Sequence, residues 1–188
     1  MHEVCIRKER PDMTLEERWM DAALQEALAA LDEGEEPVGA VVLDPEGGVI
    51  FSRARNQTRA LNDPTALAEM LALTGLRQDA GDELAGFDYS DPERPVRPEN
   101  AAREALSSLK AAAQLTLITT REPDWMCCGA VLHFPEIRRV VFGAPHSKRL
   151  NAQPPSALLI EAGLEVSGGI LERRCMELLR KHQTRKSS

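Results

Sequence analysis

The sequence predicts an α/β protein, a three-layer α/β/α sandwich around a central mixed sheet. Helical and strand-like apolar patterns alternate along most of the chain. One pair of short strands flanks a tight turn, and 188 residues suffice for one domain with a proper core but not for two ordinary ones. We therefore read residues 1–188 as a single domain.

The first helix is expected over 14–31. Thr14 and Glu17 form an S/T-x-x-E capping box, and Trp19, Met20, Ala23, Leu24, Ala27, Leu28 and Leu31 recur at helical spacing. Gly34 ends it. A mostly apolar strand over 38–43, a turn carrying Asp44, Pro45, Gly47 and Gly48, and a return over 49–52 read as an antiparallel hairpin. Asp63 and Pro64 then supply an N-cap and a first-turn proline for a helix through Leu67, Met70, Leu71 and Leu73. Residues 78–100 break the pattern with seven Asp and Glu set among Gly and Pro, as an acidic surface insertion does. A helix over 101–113, a strand over 115–120, a helix over 127–132 and a strand over 139–142 follow. Helices over 155–162 and 171–181, separated by a strand around 164–166 that ends at Gly168 and Gly169, close the domain.

Composition narrows the function classes. The longest apolar run is far short of the about 20 residues that span a bilayer, so no membrane role is expected. With 23 Lys and Arg against 30 Asp and Glu the net charge is −7, and any contact with nucleic acid must come from a local patch. The segment 171–188 is such a patch: Arg173, Arg174, Arg180, Lys181, Arg185 and Lys186 face only Glu172 and Glu177. Basic residues there also complement the helix dipole. Four irregularly spaced cysteines and a charged N-terminal decade suggest no disulfide framework and no secretory leader, which leads us to expect a cytoplasmic protein.

Two segments carry chemistry: Asn62-Asp63-Pro64-Thr65-Ala66-Leu67-Ala68-Glu69, and Glu122-Pro123-Asp124-Trp125-Met126-Cys127-Cys128-Gly129-Ala130. They resemble the two active-site motifs of the cytidine deaminase superfamily, most closely those of the tRNA-specific adenosine deaminases. Glu36 to Ala40, Asn56, the strand from Arg138 to Ala144 and the segment from Val166 to Leu179 resemble that family too. The resemblance implies a cytidine deaminase-like fold. It also implies an H-x-E motif and a P-C-x-x-C motif in which one His and two Cys hold Zn²⁺ and the Glu shuttles protons. Here Leu67 stands in place of the His and Asp124 in place of the first Cys, while Glu69 and Cys127 match. By the same resemblance Val38, Gly39, Ala40, Asn56, Pro64, Thr65 and Ala66 line a nucleoside-sized cleft, and members associate as dimers.

Each residue also has a plain structural reading. Leu67 has no donor atom and reads as packing, its burial contributing about 1.5–3 kcal/mol. Asp124 stands just before a helix and reads as its N-cap. Glu69 is favoured by the dipole of the helix it opens, whatever the chemistry. Cys127 and Cys128 read as small buried apolar groups, and Cys128, about 100° round the helix from Cys127, points elsewhere. Asn56 reads as a turn residue.

The expectation is a deaminase homologue inactive as a zinc-dependent hydrolase. It would have no cofactor and would bind a nucleoside, RNA, or a partner subunit in a homodimer or a heterodimer with a related deaminase. The alternative is an active hydrolytic deaminase of adenine, guanine or cytosine, with Glu69 as proton shuttle and zinc on Cys127, Asp124 and an unidentified third ligand.

Overall fold

The computed structural model describes residues 13–46, 49–77, 114–146 and 153–186. The acidic segment at 78–100 and the helix expected over 101–113 lie outside the described residues. Helix α1 spans Leu15–Asp32 and opens with the expected capping box: Glu17 N–H donates to Thr14 Oγ1 at 3.2 Å, and Thr14 N–H donates to Glu17 Oε2 at 2.8 Å. Just past its end, Gly34 takes φ +81°, a conformation glycine adopts without steric cost.

Strand β1 (Gly39–Asp44) pairs antiparallel with β2 (Val49–Arg55), with a bulge between Val42 and Leu43. β2 continues three residues past the expected 49–52, because Arg53, Ala54 and Arg55 keep pairing with Val41, Ala40 and Gly39. Two charged residues made that stretch read as loop, yet Arg55 finds partners on α1 and just past its end: it lies 3.7 Å from Glu26 and 2.6 Å from Glu33.

The second helix corrects the sequence reading. α2 spans Ala68–Arg77, starting well past the expected cap at Asp63. Asp63 instead closes a local turn, its Oδ1 accepting from Thr65 N–H at 2.8 Å and Thr65 Oγ1 at 2.7 Å. The acceptor at the true start of the helix is remote in sequence: Asn56 Oδ1 takes the Ala68 N–H at 2.8 Å.

Strand β3 (Leu115–Arg121) leads into α3 (Trp125–Val131), followed by β4 (Ile137–Ala144), α4 (Ala157–Glu161), β5 (Glu165–Gly168) and α5 (Glu172–Lys186). The start of β3 falls where expected, and the other ends shift by one to five residues. β4 starts two residues earlier than expected, at Ile137, which is buried, and its charged Arg139 finds carboxylates on Glu16 of α1 and, at 3.8 Å, on Glu165 of the neighbouring β5. The sheet runs β2-β1-β3-β4-β5, with β1 antiparallel to β2 and β3, and β3, β4 and β5 mutually parallel.

Side chains alternate across that sheet and build two cores. Ala40, Val42, Leu117 and Val140 pack with Leu73 of α2, Cys128 and Val131 of α3 and Leu159 of α4. Val41, Leu43, Ile118 and Val141 pack with Trp19, Met20 and Leu24 of α1 and Cys175 and Leu178 of α5. Three layers result, as the sequence predicts. No helix among the described residues is long and apolar enough to cross a membrane.

β1 passes closest to α1 at Gly39, where an added Cβ would lie 2.1 Å from the Ala23 carbonyl oxygen. Two backbones would have to separate to admit it. Gly39→Ala is therefore expected to lower the unfolding free energy by about 1–3 kcal/mol, or more if the layers cannot part, in urea titrations.

Candidate functional site

The first turns of α2 and α3 meet beside the C-terminal part of β3, and the two motifs are carried there. Glu69 sits in the opening turn of α2 with its carboxyl turned inward, 4% exposed. Thr119 of β3 donates its hydroxyl to Glu69 Oε1 at 2.7 Å, and Cys127 Sγ of α3 lies 3.7 Å from Glu69 Oε2. Burial raises the Glu69 pKa above the usual carboxylate range, against the opposing effect of the Thr119 hydrogen bond.

Asp124 caps α3, its Oδ1 accepting from Cys127 N–H at 2.8 Å. The Cys127 thiol is pushed well above its ordinary range, first by burial and then by the neighbouring Glu69 and Asp124 carboxyls. Burial and the Asp124 carboxyl push Cys128 up to about 12. Cys128 Sγ lies 3.6 Å from the Pro123 carbonyl, within the core under α2 and α3, away from Glu69 as its helical position predicts. Both thiols are protonated at neutral pH, the unreactive form.

The residues expected to line a cleft are distributed unevenly. Asn56 is buried and its Oδ1 is spent on the first turn of α2. Val38 and Ala40 are packed in the α2 side of the core, whereas Gly39 faces α1 on the opposite side of the sheet. Ala66 is buried, with its carbonyl accepting from Gln57 N–H at 2.9 Å, while Pro64 and Thr65 are exposed. Leu67 is half-buried, short of the full burial its packing reading assumed. The fold thus brings together Glu69, Asp124 and Cys127 and leaves Pro64 and Thr65 at the surface. His133 is exposed at the far end of α3. Among the described residues, no group of three or more His, Cys, Asp or Glu side chains is arranged to hold a metal ion.

Three further residues hold the chain around this site: Thr119 and Glu35, which sequence reasoning passed over, and Glu122, which the second motif contains but to which the sequence assigned no role. Thr119 looked only like a β-branched strand residue; its partner lies 50 positions away and no local pattern reveals it. Glu122 is buried and accepts from His146 N–H at 2.8 Å and Ser156 Oγ at 2.6 Å, tying the chain after β4 to the end of β3. Glu35 is buried and accepts from Thr58 Oγ1 at 3.0 Å and from the Arg59 and Ala60 N–H groups at 2.8 Å each, fixing the loop between β2 and α2. An ion pair between Arg121 and Glu36 links the end of β3 to the entry of β1. A carboxylate at a strand end before proline was the available hint for Glu122.

A family model for the zinc-binding region of cytidine and deoxycytidylate deaminases matches residues 13–144. The tRNA-specific adenosine deaminase of Bacillus subtilis is 32% identical over 171 residues, covering 89% of this chain and 88% of that protein. The tRNA(Ile)-lysidine synthase of Thermus thermophilus is 35% identical over 167 residues; 88% of this chain is covered, but it spans only 24% of that longer protein. A structure solved in work on A-to-I editing by tRNA:A34 deaminases at the wobble position of transfer RNA superposes with a TM-score of 0.58 at 27% identity. That match covers 86% of this chain and 99% of the other.

His146, whose backbone is held by Glu122, titrates below its ordinary value because of burial first and the nearby Arg121 charge second. Between its folded pKa and 6.5 the unfolded chain binds the proton that the folded chain does not. Stability then rises with pH across that window and is lost on acidification through it. His146→Asn keeps the backbone hydrogen bond, and urea titrations from pH 5 to 7 should show this part of the slope flattened.

Proposed function

The chain belongs to the cytidine and deoxycytidylate deaminase family, in the branch of the tRNA-specific adenosine deaminases, and from that premise we propose that it acts by binding rather than by hydrolysis. The observation that carries this reading is the donor set at the first turns of α2 and α3. Catalytic zinc takes three protein ligands and keeps a water. Leu67 offers no donor, which leaves Asp124 and Cys127 as two possible ligands where three are needed. These residues do not fit the family's metal. Hydrolysis without it would rest on water of pKa ~15.7 in place of metal-bound water near ~7, a deficit Glu69 alone does not offset.

The ligand we propose is tRNA. The names of the B. subtilis and T. thermophilus relatives both refer to it, and α5 supports it with exposed Arg173, Arg180 and Lys181 on a chain that is otherwise acidic. For the protein partner we propose a second copy or a related deaminase chain. Support comes from the apolar residues left at the surface on and just after α3: Trp125 is 56% exposed, Met126 39% and Leu132 39%. For location we propose the cytoplasm, where a tRNA ligand is present.

The retention of Glu69, buried beside Cys127, favours a second reading: an active deaminase with an atypical zinc site. Elemental analysis separates the two. Under the binding reading the purified chain carries far less than one zinc, and Leu67→His combined with Asp124→Cys creates a zinc site where Cys127 already stands. One zinc per wild-type chain, lost in Cys127→Ala, would overturn it. For the ligand, tRNA affinity should fall steeply with salt, and Arg180→Ala with Lys181→Ala should reduce the slope of log K against log salt by about 1–2. A slope unchanged by both substitutions removes α5 from the interface.

A further inference from the structure

We infer that Glu69, Thr119 and Cys127 form a metal-independent clasp that holds the first turns of α2 and α3 together against β3. In the family's chemistry a metal joins these two helices, one ligand coming from the first motif and two from the second. Here, beyond the shared apolar core, one polar side chain bridges the two first turns. Glu69 reaches out of α2 and engages β3 through Oε1 and α3 through Oε2, at 2.7 and 3.7 Å. Both oxygens are used, and neither is among the buried polar atoms left without a partner.

A buried carboxyl without partners costs several kcal/mol of desolvation, so a site that lost its metal ligands would have to lose Glu69 or satisfy it. This chain satisfies it. Thr119 donates its hydroxyl hydrogen to Oε1, and the Cys127 thiol donates its S–H to Oε2. Asp124 completes the arrangement by capping α3 and holding the Cys127 backbone 2.8 Å from its carboxylate. With both oxygens engaged inside the protein, Glu69 positions the two helices and does not hand protons to a substrate. The clasp rests on the metal-free reading above and assigns the retained Glu69 a role within it.

The test is a pair of double-mutant cycles on the full chain, Glu69→Met with Cys127→Ala and Glu69→Met with Thr119→Val, by urea unfolding in chelator. The clasp calls for a coupling of about fivefold in the unfolding equilibrium constant for the Thr119 pair, with Thr119→Ser retaining most of it, and of more than about twofold for the Cys127 pair. Additivity within about twofold in either cycle would overturn the clasp. If Glu69→Met does not fold, the Raman S–H band of Cys127, taken as wild type minus Cys127→Ala, decides. A hydrogen-bonded position supports the clasp, and a free-thiol position overturns it. Repeating the unfolding with added zinc separates this from the reading beneath it. Zinc that stabilises wild type but not Cys127→Ala overturns the metal-free reading. Additive cycles with no response to zinc overturn the clasp alone.

Discussion

β3 pairs antiparallel with β1 on one side and parallel with β4 on the other, and the placement of both motifs depends on that pairing. Its register sets Thr119 beside Ala40 and Phe142, with the hydroxyl on the α2 side where Glu69 meets it. Its C-terminal end delivers Glu122, Pro123 and Asp124 directly into α3. A one-residue slip would exchange Thr119 for Ile118 or Thr120 and turn the site face of the strand toward α1. The apolar residues on both faces prevent it, because Leu117 and Ile118 are each fully buried in opposite cores.

Three of the buried carboxyls, Glu35, Glu69 and Glu122, are each given a different set of partners. Glu35 collects two backbone N–H groups and a hydroxyl, and Glu122 collects backbone and hydroxyl donors from the far side of β4. Such groups are costly unless satisfied, so each fixes the loop that serves it. Glu69 has the poorest set, one hydroxyl and one thiol, and burial correspondingly drives it toward the neutral form. A neutral carboxyl costs less to bury than a carboxylate, which suits Glu69 to a pocket that offers it so few donors.

The departures from the motif are themselves structurally coherent. Asp124 does at the start of α3 what aspartate does at many helix starts, and its neighbour Cys127 packs as a small buried group. Asn56 performs the same service for α2 from the end of β2. Both helices that carry the motifs are therefore started by polar side chains of the protein itself, and neither start requires a bound ion.

The sequence by itself determined the layer architecture, the capping box of α1, the hairpin, the cap at Asp124 and the inward turn of Cys128, because these rest on periodicity and on partners within four residues. The two motifs were legible for the same reason, each being a short contiguous run. Only the tertiary structure decided where α2 begins, since the acceptor for its first turn is Asn56, twelve residues away, while the nearer Asp63 is consumed by a turn. It alone brought Thr119 to Glu69 across 50 residues and Glu122 to Ser156 across 34. Hydrogen bonds between side chains remote in sequence leave no periodic trace in the chain; they exist only once the sheet has fixed which residues face each other.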